Sequence, residues 1–209
     1  MKTLLGIILV LTLSCNAQFT SITPKVGLNY GSHHGYYYGI GFKERLSYAL
    51  GLATAYKLRE TESLKIELMY YGLRMIDPIT WYDAQGNISN RTKDIVRFDY
   101  LTLPLSLQKS FGAKKNGFTS FGLVGGYLVN YDLVTRNGTE RLVRELEMKQ
   151  KVYWGALLSF GSKINLKGRN KLSVEFKTQY LRNDGHRTLT FFLLLGYDIS
   201  LSKADTTID

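Results

Sequence analysis

Residues 98–110, FDYLTLPLSLQKS, constrain this chain more than any other stretch. From Leu101 onward the pattern alternates strictly, with Leu101, Leu103, Leu105 and Leu107 on one side and Thr102, Pro104, Ser106 and Gln108 on the other. A period of two is a strand period, because successive side chains leave a pleated backbone on opposite faces. Four leucines in a row on one face suit hydrocarbon, while the opposite face is only weakly polar. A closed barrel in a membrane satisfies both faces and leaves no strand edge unpaired.

The same device recurs along most of the chain and predicts eight strands, at 25–31, 47–58, 64–75, 98–110, 119–133, 152–164, 172–180 and 188–201. In the second, Tyr48, Leu50, Leu52 and Tyr56 alternate with Ala49, Gly51, Ala53 and Ala55, large residues outside and tiny ones inside. That contrast fits a narrow lumen. In the third, Leu64, Ile66, Leu68 and Tyr70 face lipid and Lys65 and Glu67 face inward. Connections after strands two, four and six are short, and those after one, three and five are long. Outer-membrane barrels place short turns in the periplasm and long loops outside, so the parity agrees with an all-β, eight-stranded antiparallel up-and-down transmembrane barrel.

Two local irregularities are expected. Phe98 is out of phase with Leu101, which predicts a bulge or the membrane boundary near Asp99 and Tyr100. Pro104 has no N–H and predicts one missing ladder bond. Residues 77–93 read as a long polar loop. Residues 134–150 read as a solvated loop, the alternative being a short helix through Leu142, Val143 and Leu146.

The start of the chain reads as an export signal. Lys2 precedes about ten apolar residues, too few to span a bilayer, and small Ala17 sits where a signal peptidase cuts. The domain reading is therefore a cleaved signal peptide at 1–17, a barrel at 18–201 and a polar tail at 202–209. Cys15 is the chain's one cysteine and lies in the leader, so disulfides and cysteine-rich metal sites are excluded from the mature chain. A second reading takes 12–15 as a lipoprotein box with Cys15 acylated, although Thr12 stands where such boxes usually carry Leu. The net charge of +10 is scattered among turns and loops. With an export signal, that points to anionic lipid headgroups or plain solvation and away from nucleic acid.

The chain resembles the PorT-like family of small outer-membrane barrels common in Bacteroidetes. The resemblance lies in the start ending NAQF, KVGLNYG at 25–31, LKIELMYYG at 64–72, FDYLTLPLSLQKSFG at 98–112 and the closing FFLLLGYDISL at 191–201. It implies the fold and a bacterial outer-membrane location, and its motifs are structural rather than catalytic. The family takes its name from a secretion-system component. Such barrels usually end on an aromatic residue, whereas this sequence continues through Lys203–Asp209.

Chemistry-bearing residues are few. Lys57, Lys65, Glu67, Gln108, Asn130, Asp132, Glu175 and Lys177 fall on inward positions, as a plug of crossing ion pairs or a charged pore lining. An eight-stranded barrel is just filled by its own side chains, which favours the plug. His33, His34 and His186 are the only histidines and could meet at one rim, conceivably for metal or lipid hydrolysis, though no motif spacing supports either. Tyr36, Tyr37, Tyr38, Trp81 and Tyr82 crowd the first two long loops as an interface girdle or a binding surface. The bacterial origin that the resemblance implies makes the sequons at Asn87, Asn90 and Asn137 chance matches. The reading is a non-enzymatic barrel without cofactor, acting through its loops in envelope integrity, adhesion or a secretion assembly. Its partners would be outer-membrane lipids, lipopolysaccharide and envelope proteins. A small porin and a rim-located lipid hydrolase are the alternatives.

Overall fold

The computed structural model describes residues 19–35, 43–82, 88–112, 115–137, 140–145, 148, 150–166 and 170–201. The expected leader, the tail, Tyr36–Tyr38 and the side chains of Trp81, Tyr82 and the three sequon asparagines lie outside the described residues.

Ten strands are described: β1 Phe19–Gly35, β2 Lys43–Arg45, β3 Ser47–Lys57, β4 Glu62–Tyr82, β5 Ile88–Phe111, β6 Gly117–Asn137, β7 Glu140–Glu145, β8 Val152–Asn165, β9 Lys171–Asn183 and β10 His186–Ser200. Eight of them are staves, each antiparallel to its neighbour, in the circular order β1-β3-β4-β5-β6-β8-β9-β10. The β1–β10 seam closes the circle over a register running from Ser21↔Ser200 to Gly35↔His186. No described helix is long and apolar enough to cross a membrane. The eight predicted strands are these staves, and the chain is a closed eight-stranded antiparallel barrel.

The barrel is inverted relative to a water-soluble one. Its outer surface carries the alternating leucines, with Leu103 half exposed at 50 % and Leu123 at 71 %. On β10 the outward residues Leu189, Phe191, Leu193, Leu195, Tyr197 and Ile199 are all exposed. From Leu189 to Ile199 the strand climbs ten steps of about 3.3 Å, which at a tilt of about 40° gives an apolar band about 25 Å tall.

The ladder interruption appears at Pro104 as predicted, and a bulge lies opposite Asp99 and Tyr100, but on β6, since Phe98 keeps the inward phase of Tyr100 and Thr102. On the β5–β6 ladder Tyr100 faces Leu128 while Asp99 faces Asn130, so Val129 is the extra residue of a bulge. On the β4–β5 ladder the pairing runs Ile66↔Leu105 and resumes at Met69↔Thr102, interrupted where Glu67 would meet Pro104. Pro104 stays paired with Val124 on its other side. Its missing donor therefore points at β4.

Two loop expectations are corrected. Residues 77–82 and 88–93 are not a loop, because β4 and β5 continue as a paired ribbon from Asp77↔Asp94 to Tyr82↔Ile88. Residues 134–137 and 140–145 pair as antiparallel β6 and β7, with Val134↔Val143 and Thr135↔Leu142, instead of a loop or helix. Extending an existing ladder satisfies backbone groups in register, whereas an isolated helix of that length is marginal. A sheet of β2, β4, β5, β6 and β7 thus rises beyond the barrel at the end opposite the short turns.

Candidate functional site: the filled lumen

Alternation delivers inward side chains from every stave, and they stack in three tiers. Nearest the short turns, Thr23 Oγ1 donates to Asp198 Oδ1 at 2.7 Å and Lys163 Nζ pairs with Asp198 Oδ2 at 2.8 Å. Beside them lies a cavity of about 20 Å³ lined by Lys25, Lys65, Gln108 and Phe118. That is room for about one water.

The middle tier is ionic. Lys25 from β1, Lys65 and Glu67 from β4, and Glu175 and Lys177 from β9 converge on one another, all buried. Lys65 Nζ lies 2.8 Å from Glu67 Oε1 and 3.1 Å from Glu175 Oε2. Lys25 pairs with Glu67 at 3.3 Å and also with Glu175, and Lys177 pairs with Glu67 and lies 3.7 Å from Glu175 Oε1. Each carboxylate thus serves three ammonium groups. Charges removed from water at this depth hold only when their pairing is this complete.

The third tier is aromatic. Lys177 Nζ touches Met69 Sδ at 3.3 Å, and above Met69 the Tyr71 ring meets Phe192 edge-on at 4.9 Å and Tyr100 at 5.4 Å. Gln179 Nε2 donates to Tyr71 Oη at 3.0 Å. Tyr100 meets Tyr153 edge-on, and His33 stacks on Phe98 at 4.1 Å. Tyr71, Tyr100, Tyr153 and Phe98 are all fully buried. Such ring pairs add specific attraction to a large burial.

Of the eight residues expected inside, Lys65, Glu67, Glu175 and Lys177 form the ionic tier and Gln108 borders it. Three need correction. Lys57 is exposed at the end of β3, where the barrel wall stops. Asn130 and Asp132 lie beyond the Val129 bulge, which inverts the phase of β6. Tyr131 now faces Phe98 in the lumen at 4.8 Å, while Asn130 faces Asp99 and bonds to Asp132 at 2.8 Å on the opposite face of the strand, where Asp132 is still buried. Lys25 was absent from the expected set although it shares its phase with Asn29. The lumenal tyrosines were also unanticipated, and the large aromatics at alternate positions 98 and 100 carried that signal.

Two of the three histidines meet at the rim, and the third, His34, lines the same outer hollow as His186. His33 points inward, with Nδ1 3.0 Å from Tyr100 Oη and Nε2 3.2 Å from His186 Nδ1. His34, the next residue on the strand, points outward, as adjacent strand residues must. No group of three or more His, Cys, Asp or Glu with metal-holding geometry occurs among the described residues. Outside the barrel wall, Lys115 Nζ lies 3.0 Å from Glu60 Oε2 and joins two short turns, and this contact holds the Glu60 carboxyl below its ordinary value.

No family model and no curated protein matches the chain. Among solved structures it is similar to Ail, the attachment invasion locus protein of Yersinia pestis, in complex with the heparin analogue sucrose octasulfate. The identity is 10%, over 88% of this chain and 100% of that one, with a TM-score of 0.48. It is similar also to the outer membrane protein OprG from Pseudomonas aeruginosa, at 12% identity over 87% and 97% of the two chains and a TM-score of 0.45. A third is the outer membrane protease OmpT from Escherichia coli, at 9% identity over 89% and 99% and a TM-score of 0.45. At these identities no activity passes from one chain to another.

Proposed function

We propose that this chain is a non-enzymatic barrel of a bacterial outer membrane, closed to solutes, that presents its protruding sheet at the cell surface. The observation that carries the reading is the inversion: an apolar band about 25 Å tall on the outside and an ionic tier of five buried charges inside. Water solubility would demand the reverse. The resemblance to the PorT-like family and the export leader at 1–17 agree with it. Short turns would face the periplasm and the ribbon end the exterior. The ribbon is where a partner would bind, in envelope integrity, adhesion or a secretion assembly, with membrane lipids around the barrel and no role for nucleic acid.

A porin reading requires a continuous water path, and the ionic and aromatic tiers occupy the lumen where that path would run. The test is to refold residues 18–209, confirm a heat-dependent gel shift, and record conductance in a planar bilayer. The folded protein is expected to give no stable single-channel steps. Reproducible steps that scale with salt would overturn the sealed lumen.

A further inference from the structure

One row of residues on the outer wall is left unexplained by a sealed barrel. His34 on β1 faces Arg187 on β10, Arg187 faces Arg182 on β9, and Arg182 faces Trp154 on β8. All four are exposed and share the outward phase of Tyr30, Leu189 and Tyr180. The row sits at the ribbon end, one step above Leu189 and Tyr180, which are themselves cross-strand partners. It is therefore at the upper margin of the apolar band. Against it lies an open hollow of about 410 Å³ lined by His34, Tyr180, Arg182, Asn183, His186 and Arg187.

Arg182 and Arg187 are like charges directly opposite on paired strands, an arrangement that destabilises a sheet. Neither has a carboxylate partner among the described ion pairs. Asp184, in the intervening turn, instead accepts a bond from Gln150 Nε2 at 3.1 Å. The Arg182 guanidinium lies over the Trp154 ring at 5.6 Å, which orients it in the plane of the wall. The row thus has fixed donors, an uncompensated repulsion and an apolar strip directly beneath.

We propose that this row binds the phosphate of an anionic lipid headgroup, with the acyl chains lying along Leu189 and Tyr180. Two guanidinium forks and an imidazole match a phosphomonoester, which carries nearly two charges at neutral pH, better than a singly charged diester. The inference rests on the membrane reading above, since the strip must face lipid for the chains to lie on it.

The test uses residues 18–209 refolded in phosphatidylcholine nanodiscs and titrated with phosphatidic acid, phosphatidylglycerol or inorganic phosphate, with bound lipid counted by native mass spectrometry. Phosphatidic acid is expected to bind at least about tenfold more tightly than phosphatidylglycerol. The double variant Arg182→Gln, Arg187→Gln should lose that preference, while Lys115→Gln at the opposite end keeps it. Inorganic phosphate that competes at equal concentration would make this a free-anion site and overturn the lipid assignment. Undiminished lipid binding by the double variant, with its gel shift intact, overturns the inference alone. A chain that enters no bilayer overturns the membrane reading and this inference together.

Discussion

Glu175→Gln is expected to lower the stability of the barrel by about 3–5 kcal/mol, the usual cost of stranding buried charge. Glu175 contacts Lys25, Lys65 and Lys177, and its side chain is 2 % exposed. Its loss leaves Glu67 alone against three ammonium groups in a space with almost no water. The tier already carries one more cation than anion, so the variant doubles the excess. The second half of the experiment separates charge from packing. Adding Lys65→Met to Glu175→Leu restores the original excess and fills the same volume with hydrocarbon, and it should recover most of the loss. Urea unfolding in phosphatidylcholine vesicles, followed by tryptophan fluorescence, reads both. An unfolding midpoint for Glu175→Gln equal to that of the parent would show that the cluster is wet and weakly coupled.

Gly155→Ala is expected to cost about 3 kcal/mol, near the upper end of overpacking penalties, although it adds one methyl group. A Cβ built at Gly155 would lie 1.7 Å from the Tyr180 carbonyl oxygen on the neighbouring stave. The obstacle is backbone, so no rotamer change relieves it. Such approaches occur where a strand coils sharply to close a narrow barrel. Gly125 on β6 is the control, since a Cβ there meets nothing within 4 Å. Gly125→Ala should leave the heat-dependent gel shift where it was, and Gly155→Ala should move it to a clearly lower temperature. Equal shifts for the two would mean that the staves separate at Gly155 without cost.

The fold was legible because lipid and lumen impose opposite demands on alternate residues, and eight separate stretches repeat the alternation. Leu101–Leu107 state it without ambiguity, and Pro104 marked the broken ladder from sequence, whereas Phe98 keeps the lumenal phase of Tyr100 and Thr102 and the bulge beside it belongs to β6. What alternation cannot state is phase across an inserted residue. Counting through Val129 puts Asn130 and Asp132 inside, and one bulge puts them out. Nor does alternation state where a stave stops, which is why Lys57 was assigned to the lumen. The ribbons were missed for a different reason. Above the apolar band neither face of a strand is obliged to be greasy, so polar strands and polar loops look alike. Four of the five residues of the ionic tier were visible, because Lys65, Glu67, Glu175 and Lys177 fall on inward positions within predicted strands, while Lys25 is the first residue of its predicted strand.

The ionic tier also has a consequence for how the barrel assembles. Its five charges come from β1, β4 and β9, which become neighbours only through β3 on one side and across the β10 seam on the other. A half-inserted sheet of β1 to β4 would hold Lys25 and Lys65 against Glu67 alone. A hairpin of β9 and β10 would carry Glu175 and Lys177 with only each other as partners. Neither fragment can lie comfortably in hydrocarbon. Each carboxylate gains its full set of three ammonium partners only when the seam shuts, so the cluster acts as a latch that penalises every open intermediate and rewards only the completed ring.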